Sequence, residues 1–284
     1  MKLGISILFV WALLGLPGAV CASELESFLQ SDETLVEASL VSEVTTIRPS
    51  ESFWVAVRLT MKDEWHVNWI NPGDAGLAPT VTWDLPDGFE AGELRWPYPR
   101  RFVSSEISIF GYEGDVLLLA EIKPSAALDQ PATIKARVDW LACRDVCIPG
   151  EANLELELAV KRAAAQENPS WSRRFHETRT ALPVEADGWQ FSARLNEDGL
   201  LIIALPPEGE DHELGKVVLF PQMQGLIDNN AAQRLSRNGD SYILHVERAV
   251  IGVEPPTRLQ GVLVSETGWG PISQKAVQID VPLD

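Results

Sequence analysis

The stretch Asp139-Trp140-Leu141-Ala142-Cys143-Arg144-Asp145-Val146-Cys147-Ile148-Pro149 decides how this chain is read. Four extended residues span roughly 13 Å, whereas a disulfide holds its Cα atoms roughly 4.4 to 6.8 Å apart, so a bridge requires a turn between the cysteines. A three-residue hairpin loop, Arg144 to Val146, would seat Cys143 opposite Cys147, where facing Cα atoms lie about 4.5 to 5.5 Å apart.

Working outward, strand signals dominate. Ile134-Lys135-Ala136-Arg137-Val138 and Leu154-Glu155-Leu156-Glu157-Leu158 alternate in polarity, and Phe53 to Leu59 and Asp115 to Ala120 are short apolar runs. The turn clusters Asn71-Pro72-Gly73-Asp74 and Pro86-Asp87-Gly88 punctuate them, which is the pattern of a β-sandwich. Residues 161–183 differ, because Trp171, Phe175, Thr178 and Leu182 recur at helical spacing. Asn168 suits a cap, Pro169 a first turn and Pro183 a stop, which predicts a connecting helix packed on one of its neighbours. Six further strand-like runs follow, from Trp189–Leu195 to Ala276–Val281, and suit a second sandwich. The expected architecture is all-β: a signal over 1–22, a first domain over 23–160, a helix within 161–183 and a second sandwich over 184–284.

Met1-Lys2, the apolar run Ile5 to Leu16 and the small residues ending at Ala22 read as a cleavable export signal, too short for a membrane span. Cys21 raises lipid attachment, but Gly18-Ala19-Val20 fits that signal poorly. Cys143 and Cys147 are the cysteines that remain after cleavage. No later apolar run is long enough for a transmembrane helix. The formal charge of −18 becomes −19 once Lys2 is removed. Such a chain repels phosphate backbones and anionic lipid, which argues against nucleic-acid binding.

The residues leave the role of the cysteine pair open. Closing a five-residue ring gains roughly 2 kcal/mol against about 3 for fifteen residues, so the site is a poor staple, yet an ordinary secreted-protein disulfide has the same spacing. Zinc would need two further ligands, and none of the four histidines has a finger-like spacing with the cysteines. The sequence contains no phosphate-binding glycine loop, HExxH or GxSxG. His212 and His245 stand apart from any such pattern.

Four motifs occur in order: Trp65-His66-Val67-Asn68-Trp69-Ile70-Asn71-Pro72-Gly73-Asp74-Ala75-Gly76-Leu77, Trp96-Pro97-Tyr98-Pro99, Phe110-Gly111-Tyr112-Glu113-Gly114 and Trp140 to Pro149. Over residues 34–160 they resemble the periplasmic N-terminal region of the DsbD family of thiol-disulfide interchange proteins, nearest its ScsB-like branch. Leu219-Phe220-Pro221 and Gly225-Leu226-Ile227-Asp228 resemble the continuation of that branch more weakly.

The resemblance implies immunoglobulin-like folding and a periplasmic location. It also implies a redox pair, Cys143 and Cys147, that takes electrons from a membrane-embedded donor and reduces periplasmic thiol-disulfide proteins, with neither cofactor nor metal. The family's membrane and thioredoxin-like domains have no counterpart in this sequence, so either a separate DsbD-like membrane protein is the donor or the chain is a family module put to another use. The family shields its cysteines with an aromatic cap on a loop; here the segment between Trp96 and Asp115 offers Phe102 first, then Phe110 and Tyr112, each of which has core packing as its alternative. Arg144 would favour a thiolate and Asp145 oppose it. His66 is a weaker candidate as a proton shuttle. The expected activity is protein-disulfide reduction. Two other readings remain, a binding or scaffold protein with a permanent disulfide and a copper(I) site on the two thiolates with His66 or Met61.

Overall fold

The computed structural model describes residues 34–104, 107–128, 130–196, 199–209, 213–250, 253–270 and 274–284. The expected signal, Cys21 and His212 lie outside them. In chain order the first half carries β1 (Val36–Ser42), β2 (Val44–Ile47), β3 (Phe53–Met61), β4 (His66–Gly73), β5 (Thr80–Asp84), β6 (Glu90–Ala91), β7 (Arg100–Ser104), β8 (Ile107–Glu113), β9 (Asp115–Lys123), β10 (Ala132–Cys143), β11 (Cys147–Val160) and β12 (Gln166–Glu167). Helix α1 (Ser172–Thr180) follows. The second half carries β13 (Gln190–Asn196), β14 (Gly199–Leu205), β15 (Val217–Pro221), β16 (Arg234–Asn238), β17 (Ser241–Val246), β18 (Arg258–Ser265) and β19 (Ala276–Pro282).

The first half pairs a sheet ordered β1-β3-β9-β6 with a larger one ordered β12-β2-β11-β10-β4-β8-β7, in which β5 also joins β10. Their inward faces follow from side-chain alternation. In β10, Ala132, Ile134, Ala136 and Val138 are buried while Lys135 and Arg137 are exposed. On the outer face Lys135 meets its cross-strand partner Glu155 at 2.9 Å, and Arg137 meets Glu151 at 2.7 Å. Such exposed pairs add little stability. Each fully buried aliphatic chain, such as Val55, Leu59 or Leu118 with no measurable exposure, contributes about 1.5–3 kcal/mol.

Strands β3 and β9 are buried on both faces because α1 covers the side turned away from the larger sheet. Phe175 packs there on Val41, Ala56, Leu117 and Leu119. Asp115 fixes the helix by accepting from Arg174 at 2.9 Å and from Arg58 at 2.5 Å, and Arg179 makes a two-pronged ion pair with Glu43. The helix starts later than the sequence predicts. Asn168 Oδ1 accepts from the Ser170 amide at 3.1 Å, so Asn168 and Pro169 form a turn ahead of the helix and Trp171 takes the cap position without a side-chain bond.

The segment between Trp96 and Asp115, expected as a loop, is largely the β7–β8 hairpin, with Arg101 paired to Phe110 and Phe102 to Ile109. The second half has sheets ordered β13-β14-β17-β16 and β15-β18-β19 around a core in which Trp189 meets Trp269 edge-on at 5.1 Å.

Residues Leu35–Asp284 form one compact unit, and the Trp69–Asp74 segment joins its halves. The register between β4 and β8 breaks between Asn68 and Gly73, which releases this segment from the ladder. Asn71 Nδ2 donates to the Pro221 carbonyl at 2.7 Å, Gln224 donates to the Gly73 carbonyl at 2.8 Å, and Asn229 donates to Asp74 at 2.7 Å. Arg101 adds a bond to the Asn229 carbonyl at 3.0 Å. Phe220 packs edge-on against Phe110 and Trp69 at 5.0 and 6.3 Å. Gly73 has φ +84°, and a Cβ there would lie 2.4 Å from the Ser108 carbonyl, so the close approach requires glycine.

Candidate functional site

Strands β10 and β11 are the arms of the hairpin read from the cysteine spacing. Cys143 and Cys147 are direct cross-strand partners, their disulfide formed and their Cα atoms 4.1 Å apart. The Arg144 amide donates to the Val146 carbonyl at 3.1 Å and closes the three-residue turn. Alternation along β10 and β11 places Cys143 with Lys135, Arg137 and Asp139 on the outer face of the sheet. The bridge is therefore not part of the sandwich core.

The two cysteines differ in access. Cys147 is exposed, whereas Cys143 is only 3% exposed. The register explains what flanks Cys143: it pairs with Cys147 on one side and with His66 of β4 on the other, and His66 pairs in turn with Glu113 of β8. Directly opposed residues project to the same face with Cβ atoms about 4.5–5.5 Å apart. Glu113, His66, Cys143 and Cys147 thus form one row across four adjacent strands.

Phe102 completes this surface. Half-buried on edge strand β7, it stacks on the His66 ring with centroids 5.6 Å apart and planes 24° from parallel. His66 is buried, and its Nε2 has no hydrogen-bond partner among the described residues. Burial lowers the imidazole pKa from its ordinary value, because removal from water disfavours the charged ring.

The other aromatic candidates point inward. Phe110 is 1% exposed against Phe220, and Tyr112 is buried with its hydroxyl donating to the Pro97 carbonyl at 2.6 Å. The packing alternative describes both, and burial pushes the Tyr112 hydroxyl well above its usual pKa.

Arg144 and Asp145 pair with each other at 3.0 Å, and the Arg144 guanidinium lies 5.3 Å from the Trp65 ring centre with Glu64 at 3.8 Å. Their opposed charges largely offset one another beside the bridge. Leu141 and Pro149, one step along the outer face, line a groove of about 500 Å³ with Leu77, Ala78 and Trp140. Leu77 is 66% exposed.

Met61 is buried in β3, in the other sheet, and pairs with Val36. Among the described residues no group of three or more His, Cys, Asp or Glu is placed to hold a metal ion. No helix among them is long and apolar enough to cross a membrane. Sequence reasoning raised His66, the second residue of the first motif, as a proton shuttle, but it did not place His66 beside Cys143 or bring Glu113 into the same row.

Fold and site together define an immunoglobulin-like β-sandwich whose solvent-facing sheet surface carries a disulfide hairpin. Residues 32–159 match the family described as thiol:disulfide interchange protein DsbD, N-terminal, so this part of the chain is similar to a DsbD N-terminal domain.

The chain also matches the crystal structure of the N-terminal periplasmic domain of ScsB from Proteus mirabilis, with a TM-score of 0.60 and 16% identity over 89% of this chain and 96% of that one. At that identity the likeness is one of fold. The major pilin subunit BcpA of Bacillus cereus matches with TM-score 0.27 and 8% identity over 88% of this chain and 66% of that one. Spo0M of Bacillus subtilis matches with 0.23 and 8% over 87% and 90%. Neither score carries an argument. No curated protein matches the chain.

Proposed function

We propose that the protein is a periplasmic thiol-disulfide exchange module that takes reducing equivalents from a membrane electron donor and passes them to periplasmic disulfide-bearing proteins. The observation that carries this reading is the unequal access of two cysteines in a five-residue ring on the outer face of a DsbD-like domain. A staple in that position holds together a turn that the β10–β11 ladder already fixes.

Exchange proceeds by in-line attack of a thiolate on a disulfide sulfur. An incoming donor thiolate reaches Cys147, forms the mixed disulfide there and expels Cys143 as the leaving thiolate. A second donor thiolate releases Cys147. In the forward transfer Cys147 attacks the acceptor disulfide, and Cys143 then closes on Cys147 and releases the reduced acceptor. Phe102 limits access by other thiols, and the groove beside Leu141 and Pro149 gives a docked partner an apolar footing next to Cys147.

The test is reduction of the disulfide by a mild dithiol while circular dichroism follows the fold, combined with trapping by single cysteine variants. Cys143→Ser should accumulate a mixed disulfide at Cys147, and Cys147→Ser should accumulate little. A bridge that opens only as the β spectrum is lost, or that titrates below about −300 mV, identifies a structural disulfide and sinks the proposal.

A further inference from the structure

In the row Glu113–His66–Cys143–Cys147 the imidazole stands beside the less accessible cysteine, on the side away from the bridge. Phe102 stacks on the ring, and Nε2 is a buried polar atom with no partner among the described residues. Buried polar atoms are nearly always hydrogen-bonded, so one left over calls for a reason. Reduction supplies one. A disulfide sulfur has no proton to share, whereas the Cys143 thiol formed on reduction brings an S–H donor to the same face of the sheet.

We propose that His66 is the acid–base group of the exchange, taking the proton of the Cys143 thiol when Cys143 closes on Cys147 and returning it when Cys143 leaves. This rests on the exchange function proposed above. The closing step balances as follows. With an acceptor sulfur bound to Cys147, the Cys143 S–H bond breaks and its proton passes to the imidazole. The Cys143 thiolate forms the S–S bond to Cys147, and the acceptor sulfur departs with the electron pair of the broken mixed disulfide. That thiolate then collects the proton from the imidazolium. Two electrons have moved from the cysteine pair to the acceptor disulfide.

The surroundings suit a ring that works as a neutral base. Burial favours the uncharged imidazole, and Glu113, facing it from β8 and exposed to solvent, favours the transient imidazolium. From β10 the facing group is Cys143, and from β7 it is Phe102, which carries no charge. Arg144 and Glu64, at the neighbouring turns, pair with each other. A thiol with the usual pKa of about 8.5 is only about 3% ionised at pH 7, so a base that removes its proton during attack can accelerate closure about 30-fold there.

The experiment mixes reduced protein with oxidised glutathione and records, across pH 5 to 9, the rate at which the Cys147–glutathione intermediate closes and releases the second glutathione. Wild type should show a plateau that falls only below the imidazole pKa, itself under about 6.5. His66→Gln should be about 30-fold slower at pH 7 and rise with pH until the thiol itself ionises. Phe102→Leu, which keeps the imidazole, should retain the wild-type profile shape. His66→Gln with an unchanged rate and profile overturns the assignment while leaving the exchange function intact. A Phe102→Leu variant that reproduces the His66→Gln profile also overturns it, because the ring would then serve only the cap. If His66→Gln does not fold, the wild-type profile decides: a break near pH 8.5 instead of below 6.5 refutes the role. A wild-type bridge that glutathione and dithiols open only on unfolding refutes exchange and the His66 role together.

Discussion

Replacing Asn71 by Ala tests whether the first motif serves docking as well as chemistry. Asn71 is 2% exposed and bonded at both ends of its amide: Nδ2 donates to the Pro221 carbonyl at 2.7 Å and the Met223 carbonyl at 3.3 Å, and Oδ1 accepts from the Gly73 amide at 2.9 Å. Truncation leaves the Gly73 N–H and the Pro221 carbonyl in a buried setting without these partners. At about 1–3 kcal/mol for each of the two stranded groups, the cost is about 2–6 kcal/mol, well above the worth of a typical net hydrogen bond. A unit of this size has an unfolding entropy of about 0.5 kcal/mol/K, so the thermal midpoint should fall by about 4–12 °C. Scanning calorimetry of the oxidised protein measures it. Because the contacts bridge the halves, wild type should unfold in one transition, and a cut in the exposed Lys161–Ala164 stretch should leave two fragments that co-elute. The glutathione closure rate should not change, since His66 lies before the register break in β4 and Cys143 of β10 pairs with His66 there. A midpoint shift below about 1 °C would refute the reasoning from buried partners, and two separate transitions in wild type would refute coupling across Asn71.

Phe102→Ala should speed reduction of the bridge by glutathione several-fold with a small change in midpoint, as expected of a half-buried side chain on an edge strand; an unchanged rate would remove it from the cap. Asp115 gives an acid prediction. Burial raises its carboxyl pKa, but hydrogen bonds and charge from Arg58 and Arg174 outweigh this and leave it below the ordinary value. A depressed folded-state pKa contributes stability that is present above the unfolded value near 3.9 and is lost as pH falls through the folded one. Native-state proteolysis within 168–182 should therefore increase below about pH 4 and do so less in Asp115→Asn, which has no carboxylate to titrate; equal pH dependence would show that Asp115 does not anchor the helix.

How much of this was legible differs from strand to strand. In β10 and β11 apolar residues alternate with Lys135, Arg137, Glu155 and Glu157, because one face meets the core and the other water, and the cysteine spacing fixes the turn between them. Strands β3 and β9 announce themselves as apolar runs because α1 covers their second face. Strand β4 was obscured by Asn71-Pro72-Gly73, which spells a turn; these residues leave the β8 ladder to meet Pro221, 150 positions away. No local periodicity encodes such a contact. Strands β7 and β8 were hidden for a related reason. Val103 and Ile107 are exposed while Ser108 is fully buried against Asn230, so the polarity pattern expected of a strand is partly inverted where the second half covers the hairpin.

The residue row around the cysteines has a different origin from the interface. Cys143, His66 and Glu113 lie on three strands separated in sequence, and only the ladder brings them into line. Within β4 the first residue serves that row, while Trp69 to Gly73 carry the second half. The register break after Asn68 makes the division possible, since a continuous ladder would hold Trp69–Pro72 against β8 and out of reach of Pro221. The second half is thus fixed to the same strand that positions His66, and it leaves the outer face around Cys147 exposed. A partner approaching the bridge meets a sheet surface held in place from behind by the contacts of Asn71 and Gly73 with the second half.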